Sequence, residues 1–174
     1  QPVKKTHVHT KNGSGGGRQT EVYAYIYDHA GRLLKITHQL NGGMIVTLAE
    51  NTYDELGRLK TNKKGGVVNT VTTYTYNVRS WIKSVSSALF SQTLYYNESY
   101  GGSAKQYNGN ISAMSWKQSS EVNYNGYAFT YDGLSRLTAA NYLVNGVSST
   151  HFRTAYMYDK HGNMTSLQRY GKKD

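Results

Sequence analysis

The chain has no cysteine and only one proline, Pro2, among its 174 residues. Without cysteine, neither a disulfide framework nor a thiolate metal site can form. With so little proline, the turns must be made by asparagine and the eighteen glycines, which favours tight hairpin turns. No segment has the apolar length of a signal peptide or a membrane helix, so we expect an excised or processed segment of a longer chain, with no membrane span.

The composition and net charge of the chain indicate what forms its core and which partners it could bind. Hydrophobic residues make up 37% of the chain, but seventeen residues are tyrosine, so tyrosine must supply much of the core. Twenty basic against ten acidic residues give a net charge of +10, which fits either a polyanionic partner or the soluble surface of a β-sheet. We favour the second reading and expect no nucleic acid, because the basic residues are spread along the chain rather than clustered.

One short pattern recurs along the chain and reads aromatic-x-Tyr-Asp-x-x-Gly-Arg-Leu. Four close copies begin at Tyr27, Tyr53, Tyr131 and Tyr158, and two weaker copies begin at Tyr76 and Tyr107. The predicted turns span residues 28–31, 54–57, 77–80, 108–110, 132–135 and 159–162, and the Tyr107 copy looks shortened to an Asn-Gly turn. Their turn-forming residues are Asp28, Gly31, Asp54, Gly57, Asn77, Asn108, Gly109, Asp132, Asp159 and Gly162.

Turn chemistry explains the pattern. Asp or Asn at the start of a turn accepts a hydrogen bond from the backbone two residues on, and Gly tolerates a positive φ. Alternating residues before each turn, as in 23–27 and 127–131, predict strands with aromatic side chains on one face. Further turn signals lie between the copies, at residues 41–43, 64–66, 125–126 and 145–146. The expected fold class is all-β: an antiparallel meander of hairpins with ten to twelve strands in a curled sheet.

Two regions differ in composition. Residues 1–18 contain Lys4-Lys5, His7-Val8-His9 and a glycine-rich run, and they are expected to form a polar lead or linker. Residues 19–174 are expected to form the repeat domain of about six units.

The Tyr-Asp turns resemble the YD repeats of Rhs-type and wall-associated bacterial proteins and of animal teneurins, over about residues 19–171. The weaker copies resemble the variant units of long Rhs-like proteins from gut Bacteroidetes. The resemblance implies a secreted or cell-surface β-strand shell, closed around a C-terminal toxin or other cargo, with the remainder of the parent chain as partner; carbohydrate binding is also attributed to such repeats. An Asp-Pro-type self-cleavage motif is missing, since the only proline is Pro2.

No catalytic, cofactor-binding or metal-binding residues are predicted. Four of the five aspartates lie in the repeat turns and the fifth is Asp174. The glutamates show no paired spacing, and the six histidines have no metal-ligand spacing. We therefore expect a protein that is not an enzyme.

Five residues are candidates for ligand binding: Trp81, Trp116, Arg32, Arg58 and Arg136. Aromatic and basic residues together can hold sugar rings, but both tryptophans could equally pack in the core. The repeated arginines could form a ladder for anionic sugars; we favour their stacking on neighbouring tyrosines or binding of turn carbonyls. The open edges of such a meander could also associate with those of other copies.

Overall fold

The computed structural model describes residues 1–10, 17–65 and 70–172. In these ranges the chain forms fourteen β-strands. Their bounds are β1 Lys4–Thr10, β2 Arg18–Tyr27, β3 Leu33–Leu40, β4 Ile45–Tyr53, β5 Leu59–Lys64, β6 Val71–Tyr76, β7 Ile82–Ser86, β8 Phe90–Tyr95, β9 Ala113–Gln118, β10 Asn125–Tyr131, β11 Leu137–Val144, β12 Val147–Ser148, β13 Thr154–Tyr158 and β14 Met164–Arg169.

The strands are hydrogen-bonded in the order in which they occur in the chain, except that β12 pairs only with β11 and β13 follows β11 in the sheet. The strand pairs of the described residues are antiparallel. The predicted all-β antiparallel meander is thus confirmed, with fourteen described strands where ten to twelve were expected. The chain divides into two compact units, Gln1–Tyr74 and Thr75–Asp174.

Each close copy of the repeat forms a hairpin with the same backbone. In the first copy Asp28 N–H donates to the Arg32 carbonyl and Gly31 N–H donates to the Asp28 carbonyl, at 3.0 Å each. Gly31 has φ +78°, which completes a type I turn with a left-handed residue. The pairing shifts register immediately before the tyrosine, as a β-bulge, in the Tyr27, Tyr53, Tyr131 and Tyr158 copies.

Repeat positions are numbered from 1 at the tyrosine, so Asp is position 2, Gly position 5, Arg position 6 and Leu position 7. The strand that ends in or next to position 1 is the tyrosine strand, and the strand after the turn is the return strand. Each return strand pairs with the following tyrosine strand in one register: position 9 faces the residue three before the next tyrosine. The pairs are Lys4–Ala24, Lys35–Glu50 and Thr61–Thr73 in the first unit, and Ser84–Thr93, Ala113–Ala128 and Ala139–Ala155 in the second.

The buried core of the second unit is built by the connection between β8 and β9, residues 96–112. Leu143 on β11 is fully buried, and Gly101 approaches it so closely that an added Cβ would meet the leucine methyl groups. The ring of Tyr100 stacks on Tyr95 with centroids 4.6 Å apart. Among the described residues, only Tyr96 of the seventeen tyrosines is buried; the rings otherwise remain half-buried or exposed.

Three expectations from the sequence need correction. Lys4–Thr10, interpreted as part of a polar lead, forms β1 and pairs with β2 over seven residues, because backbone pairing does not require apolar side chains. Asn108-Gly109 does not join two strands but lies in the long β8–β9 connection. Asn125-Gly126, expected as a turn, starts β10, where Gly126 leaves room for the Met114 carbonyl and the Tyr100 ring. The glycine-rich run at 11–16, part of the 64–66 signal and Asp174 lie outside the described residues.

Candidate functional site

The aspartates of the repeat bind their own turns. In the first copy Asp28 Oδ1 accepts hydrogen bonds from the N–H groups of Ala30 and Arg32, both at 2.9 Å. Its Oδ2 lies 2.6 Å from Arg32 Nε. Asp54, Asp132 and Asp159 accept the same two backbone bonds, from the residues two and four positions on. The side-chain oxygen of Asn77 does the same in the Tyr76 copy, and that of Asn108 accepts from Asn110 N–H.

These contacts lower the pKa of all four carboxyl groups. For Asp28 and Asp132 the main cause is the hydrogen bond from the backbone of the arginine. For Asp159 it is the side-chain amide of Asn163. Burial acts most strongly on the pKa of Asp54 and would raise it, but the bonds from Arg58 together outweigh burial. Because hydrogen bonds favour the ionised form, these carboxyl groups carry no proton to donate at neutral pH. Their role is to hold the turns.

The residue at position 6 reaches the tyrosine of the next copy. The guanidinium carbon of Arg32 lies 4.8 Å from the Tyr53 ring centroid, and that of Arg136 lies 4.8 Å from the Tyr158 ring. Arg136 also donates to the Asp159 carbonyl at 2.9 Å. Arg58 forms an ion pair with Asp54 in its own turn. This geometry favours stacking on tyrosine over an outward ladder for anionic sugars.

Tryptophan takes position 6 in the Tyr76 copy. Trp81 is half-buried, and its ring centroid lies 5.1 Å from that of Tyr96, so an aromatic contact replaces the arginine contact of the other copies. Trp116 is also half-buried and stacks on Tyr127 with centroids 5.8 Å apart. Both rings therefore have packing roles, as one of the two sequence interpretations held.

Tyrosine hydroxyls also connect neighbouring repeats at the joint, the place where a return strand meets the next tyrosine strand. Five tyrosines donate to the carbonyl of the residue at position 7 of the preceding return strand, over 2.8–3.1 Å; the pairs are Tyr27 to Pro2, Tyr53 to Leu33, Tyr96 to Ile82, Tyr131 to Ile111 and Tyr158 to Leu137. Gln1 and Pro2 thus take positions 6 and 7 of a return strand, with the Gln1 amide donating to the Gly31 carbonyl at 3.0 Å.

Sequence reasoning placed the fourth repeat tyrosine at Tyr107, whereas the structure gives that role to Tyr96. Tyr96 directly follows β8, occupies the shared register and donates to the Ile82 carbonyl, while Tyr107 lies in the connection and is 62% exposed. Position 7 is Ile111, fifteen residues after Tyr96 instead of six, so this copy carries nine additional residues in its turn. The Tyr96-Asn97 pair, which follows an alternating strand, was the available signal.

A cleft of about 350 Å³ lies between the turn of the Tyr76 copy and the β8–β9 connection, within the second unit. Trp81 and Tyr107 supply its aromatic walls. Lys83 Nζ forms an ion pair with Glu98 Oε1 at 2.8 Å, and Arg79 donates to the Tyr107 carbonyl at 2.6 Å. Gly109, predicted as a turn former, has φ +103°, and an added Cβ would lie 3.3 Å from the Trp81 ring.

Carboxylates outside the turns are held by basic or amide groups. Glu50 lies 3.0 Å from Lys35 and 3.7 Å from Lys63, and the bond and charge of Lys35 are the main cause of its lowered pKa. Glu121 accepts from the Asn125 amide. Over residues 1–10, 17–65 and 70–172, no three His, Asp or Glu side chains are placed to hold a metal ion. Within the same ranges, no helix is long and apolar enough to cross a membrane.

No protein-family model and no curated protein matches the chain. Among solved structures, the chain is similar to one described as "Crystal Structure of TcdB2-TccC3-Cdc42", with a TM-score of 0.64 and 17% identity over 93% of this chain. A second, "Crystal Structure of TcdB2-TccC3-TEV", gives a TM-score of 0.63 and 17% identity over 86%. The chain spans 9% and 8% of those chains. The likeness shows the fold of this chain, an antiparallel repeat sheet.

Proposed function

We propose that this chain is a structural segment of a longer YD-repeat protein, and that it forms part of a β-sheet wall rather than carrying out catalysis. The observation that carries the proposal is the joint between repeats. Six return strands meet the next tyrosine strand in one register, and the polar residues of the pattern are used within the turns and joints. A catalytic role would instead require titratable groups that converge on a cleft with pKa values shifted toward neutral pH.

The finer proposal is that the wall displays or encloses a C-terminal effector of a secreted or cell-surface protein. Support comes from the fold shared with chains more than ten times as long as this one. A repeat sheet of this size would form one part of such a wall, with the remainder of the parent chain as its partner.

Segment replacement in the parent chain tests this proposal. Residues 27–158 would be replaced by the same number of YD-repeat hairpins of unrelated sequence, and protection of the C-terminal region from a protease would be measured. A structural wall predicts that the replacement restores protection that deletion of the segment removes. Loss of protection in the replaced chain, with the fold intact by circular dichroism, would show that these particular residues act by a different route.

A second candidate, carbohydrate binding, is favoured by the Trp81 cleft. Sugar rings bind between aromatic faces and hydrogen-bonding groups, and this cleft offers Trp81 and Tyr107 together with Asn97, Glu98 and Lys83. The Tyr107 side chain is 62% exposed, so its ring is available to a ligand. The extracellular polymers expected from the family resemblance would present such rings.

Tryptophan fluorescence distinguishes the two candidates. A glycan-array screen would provide the ligands, and binding would be followed in the native chain, Trp81→Phe and Trp116→Phe. Binding in the cleft predicts that Trp116→Phe retains the fluorescence change while Trp81→Phe loses it. No retention of the chain on the array would remove the second candidate.

A further inference from the structure

β14 is a return strand, and its outer edge has no neighbouring strand among the described residues. β14 pairs with β13 on one side and is the last strand in sheet order within the described part of the chain. Five other return strands, β3, β5, β7, β9 and β11, use their second edge to pair with the tyrosine strand that follows. Met164 is position 7 and Ser166 is position 9 of the last copy, counted from Tyr158. The edge therefore presents the same repeat positions that are paired elsewhere.

We propose that this edge is a docking site for the tyrosine strand of one further YD-repeat hairpin, in a defined register. Ser166 would face the residue three before the incoming tyrosine, and the tyrosine hydroxyl would donate to the Met164 carbonyl. The register follows from the six pairs at position 9, and the hydroxyl bond follows from the five hydroxyl-to-carbonyl distances of 2.8–3.1 Å. The inference rests on the proposed structural function and specifies its partner.

A second copy of this chain does not fit the edge. Among the described strands, β1 and β14 stand at the two ends of the sheet order, and β12, which is two residues long and is not followed by a tyrosine, pairs only with β11. β1 occupies the register of a return strand, with Lys4 at position 9, and β14 is a return strand as well. Pairing two return strands brings no tyrosine to the Met164 carbonyl. The occupant is instead a hairpin whose first strand ends in the aromatic-x-Tyr-Asp sequence.

The joint at β14 also differs from the others in one respect. Position 6 is Asn163, whose side-chain amide donates to Asp159 Oδ2 at 2.9 Å. The incoming ring thus meets an amide instead of the arginine that Tyr53 and Tyr158 contact. Docking at this edge depends more on backbone pairing and the hydroxyl bond than it does at Arg32 or Arg136.

Cysteine cross-linking reads the register directly, because the native chain has no cysteine. The probe is a synthetic hairpin of residues 45–64 from this same chain, in which Glu50 is three residues before Tyr53 and Thr52 is one before it. Ser166→Cys protein would be mixed with Glu50→Cys peptide in a glutathione buffer, and Met164→Cys protein with Thr52→Cys peptide. The crossed combinations, shifted by two residues, are matched controls.

The proposed register predicts that both matched pairs form the disulfide about tenfold faster than both crossed pairs, since facing Cβ atoms are close and diagonal ones are not. Tyr53→Phe in the peptide should slow the matched reactions about three- to tenfold at subsaturating peptide through loss of one hydrogen bond. Equal rates in matched and crossed pairs would overturn the register. The stability of Tyr158→Phe separates the docking site from the structural function. If Tyr158→Phe is less stable than the native chain but no pair cross-links, the docking site alone is overturned. If Tyr158→Phe is as stable as the native chain, the joint between repeats is not stabilising, and the structural function loses its support as well.

Discussion

Alanine at position 5 of the repeat should destabilise the chain, and more at Gly57 than at Gly162. The two glycines have similar backbone angles, with φ +80° and +90°. A left-handed conformation costs a residue with a Cβ about 1–2 kcal/mol, and the stiffer unfolded chain returns part of this, so Gly162→Ala should lower the free energy of unfolding by about 1 kcal/mol. An added Cβ at Gly162 meets nothing within 4 Å.

Gly57 carries an additional cost because of the neighbouring repeat. A Cβ there would lie 2.8 Å from Arg32 Nη1, closer than nonbonded atoms approach, so the guanidinium must move. Arg32 would then leave its position 4.8 Å from the Tyr53 ring. A cation–π contact at a partly exposed site contributes about 0.5–1 kcal/mol, so Gly57→Ala should cost about 2 kcal/mol in total.

Urea denaturation of the whole chain, followed by circular dichroism, measures both changes. The comparison is repeated in an Arg32→Ala background, where Gly57→Ala should cost about the same as Gly162→Ala, since the group it displaces has been removed. If Gly57→Ala and Gly162→Ala cost the same with Arg32 present, the arginine contact between repeats contributes nothing. If neither substitution lowers the free energy of unfolding, the left-handed backbone assigned to position 5 of the turn is wrong.

Three further outcomes are expected. Tyr158→Phe removes the hydroxyl bond to Leu137 and should cost about 0.5–1.5 kcal/mol by urea denaturation; Tyr156→Phe, on the same strand, should cost less. The pKa of Asp132 is lower in the folded chain than its ordinary value of 3.8, so the ionised carboxylate stabilises the fold above that value and this contribution is lost as the pH falls through the folded pKa. The thermal unfolding midpoint should therefore fall below about pH 4, and it should fall less in Asp132→Asn. Gly101→Ala should cost about 3 kcal/mol or more, because φ is +60° and its Cβ would overlap the buried Leu143; a midpoint close to that of the native chain would contradict this packing.

Local turn chemistry made the repeat hairpins predictable from the sequence. The aspartate and the residues at positions 5 and 6 of each close copy act within a few residues of one another, so their spacing alone contains the information. Ser80 and Ser135 show how strongly the turn is specified: both occupy position 5 in place of glycine and keep a left-handed backbone, with φ +62° and +63°. The interpretation that Arg32 and Arg136 stack on neighbouring tyrosines could also be reached, because the repeat brings them to equivalent places.

Contacts distant in sequence were harder to predict. Tyr107-Asn108 matches the Tyr-Asn pair of the repeat as well as Tyr96-Asn97 does, and the pairing of β8 with β7 and β9 identifies Tyr96 as the repeat tyrosine. The glycine of Asn125-Gly126 indicates a turn when considered locally, but it is required by the close approach of the Met114 carbonyl on β9, with the Tyr100 ring also in contact, twenty-six residues earlier in the chain. The polar β1 gives no periodic apolar signal, since a strand at the edge of a sheet can be held by backbone bonds alone.

The nine residues added after Tyr96 show what this architecture tolerates. The strands on either side, β7 with β8 and β9 with β10, keep the common pairing although the turn between them is more than twice as long. The turn end of each hairpin is therefore where new sequence can enter without disturbing the strands. In this chain the lengthened turn lines one side of the Trp81 cleft and places Gly101 against the fully buried Leu143, so lengthened turns are a route by which a repetitive sheet acquires individual surfaces.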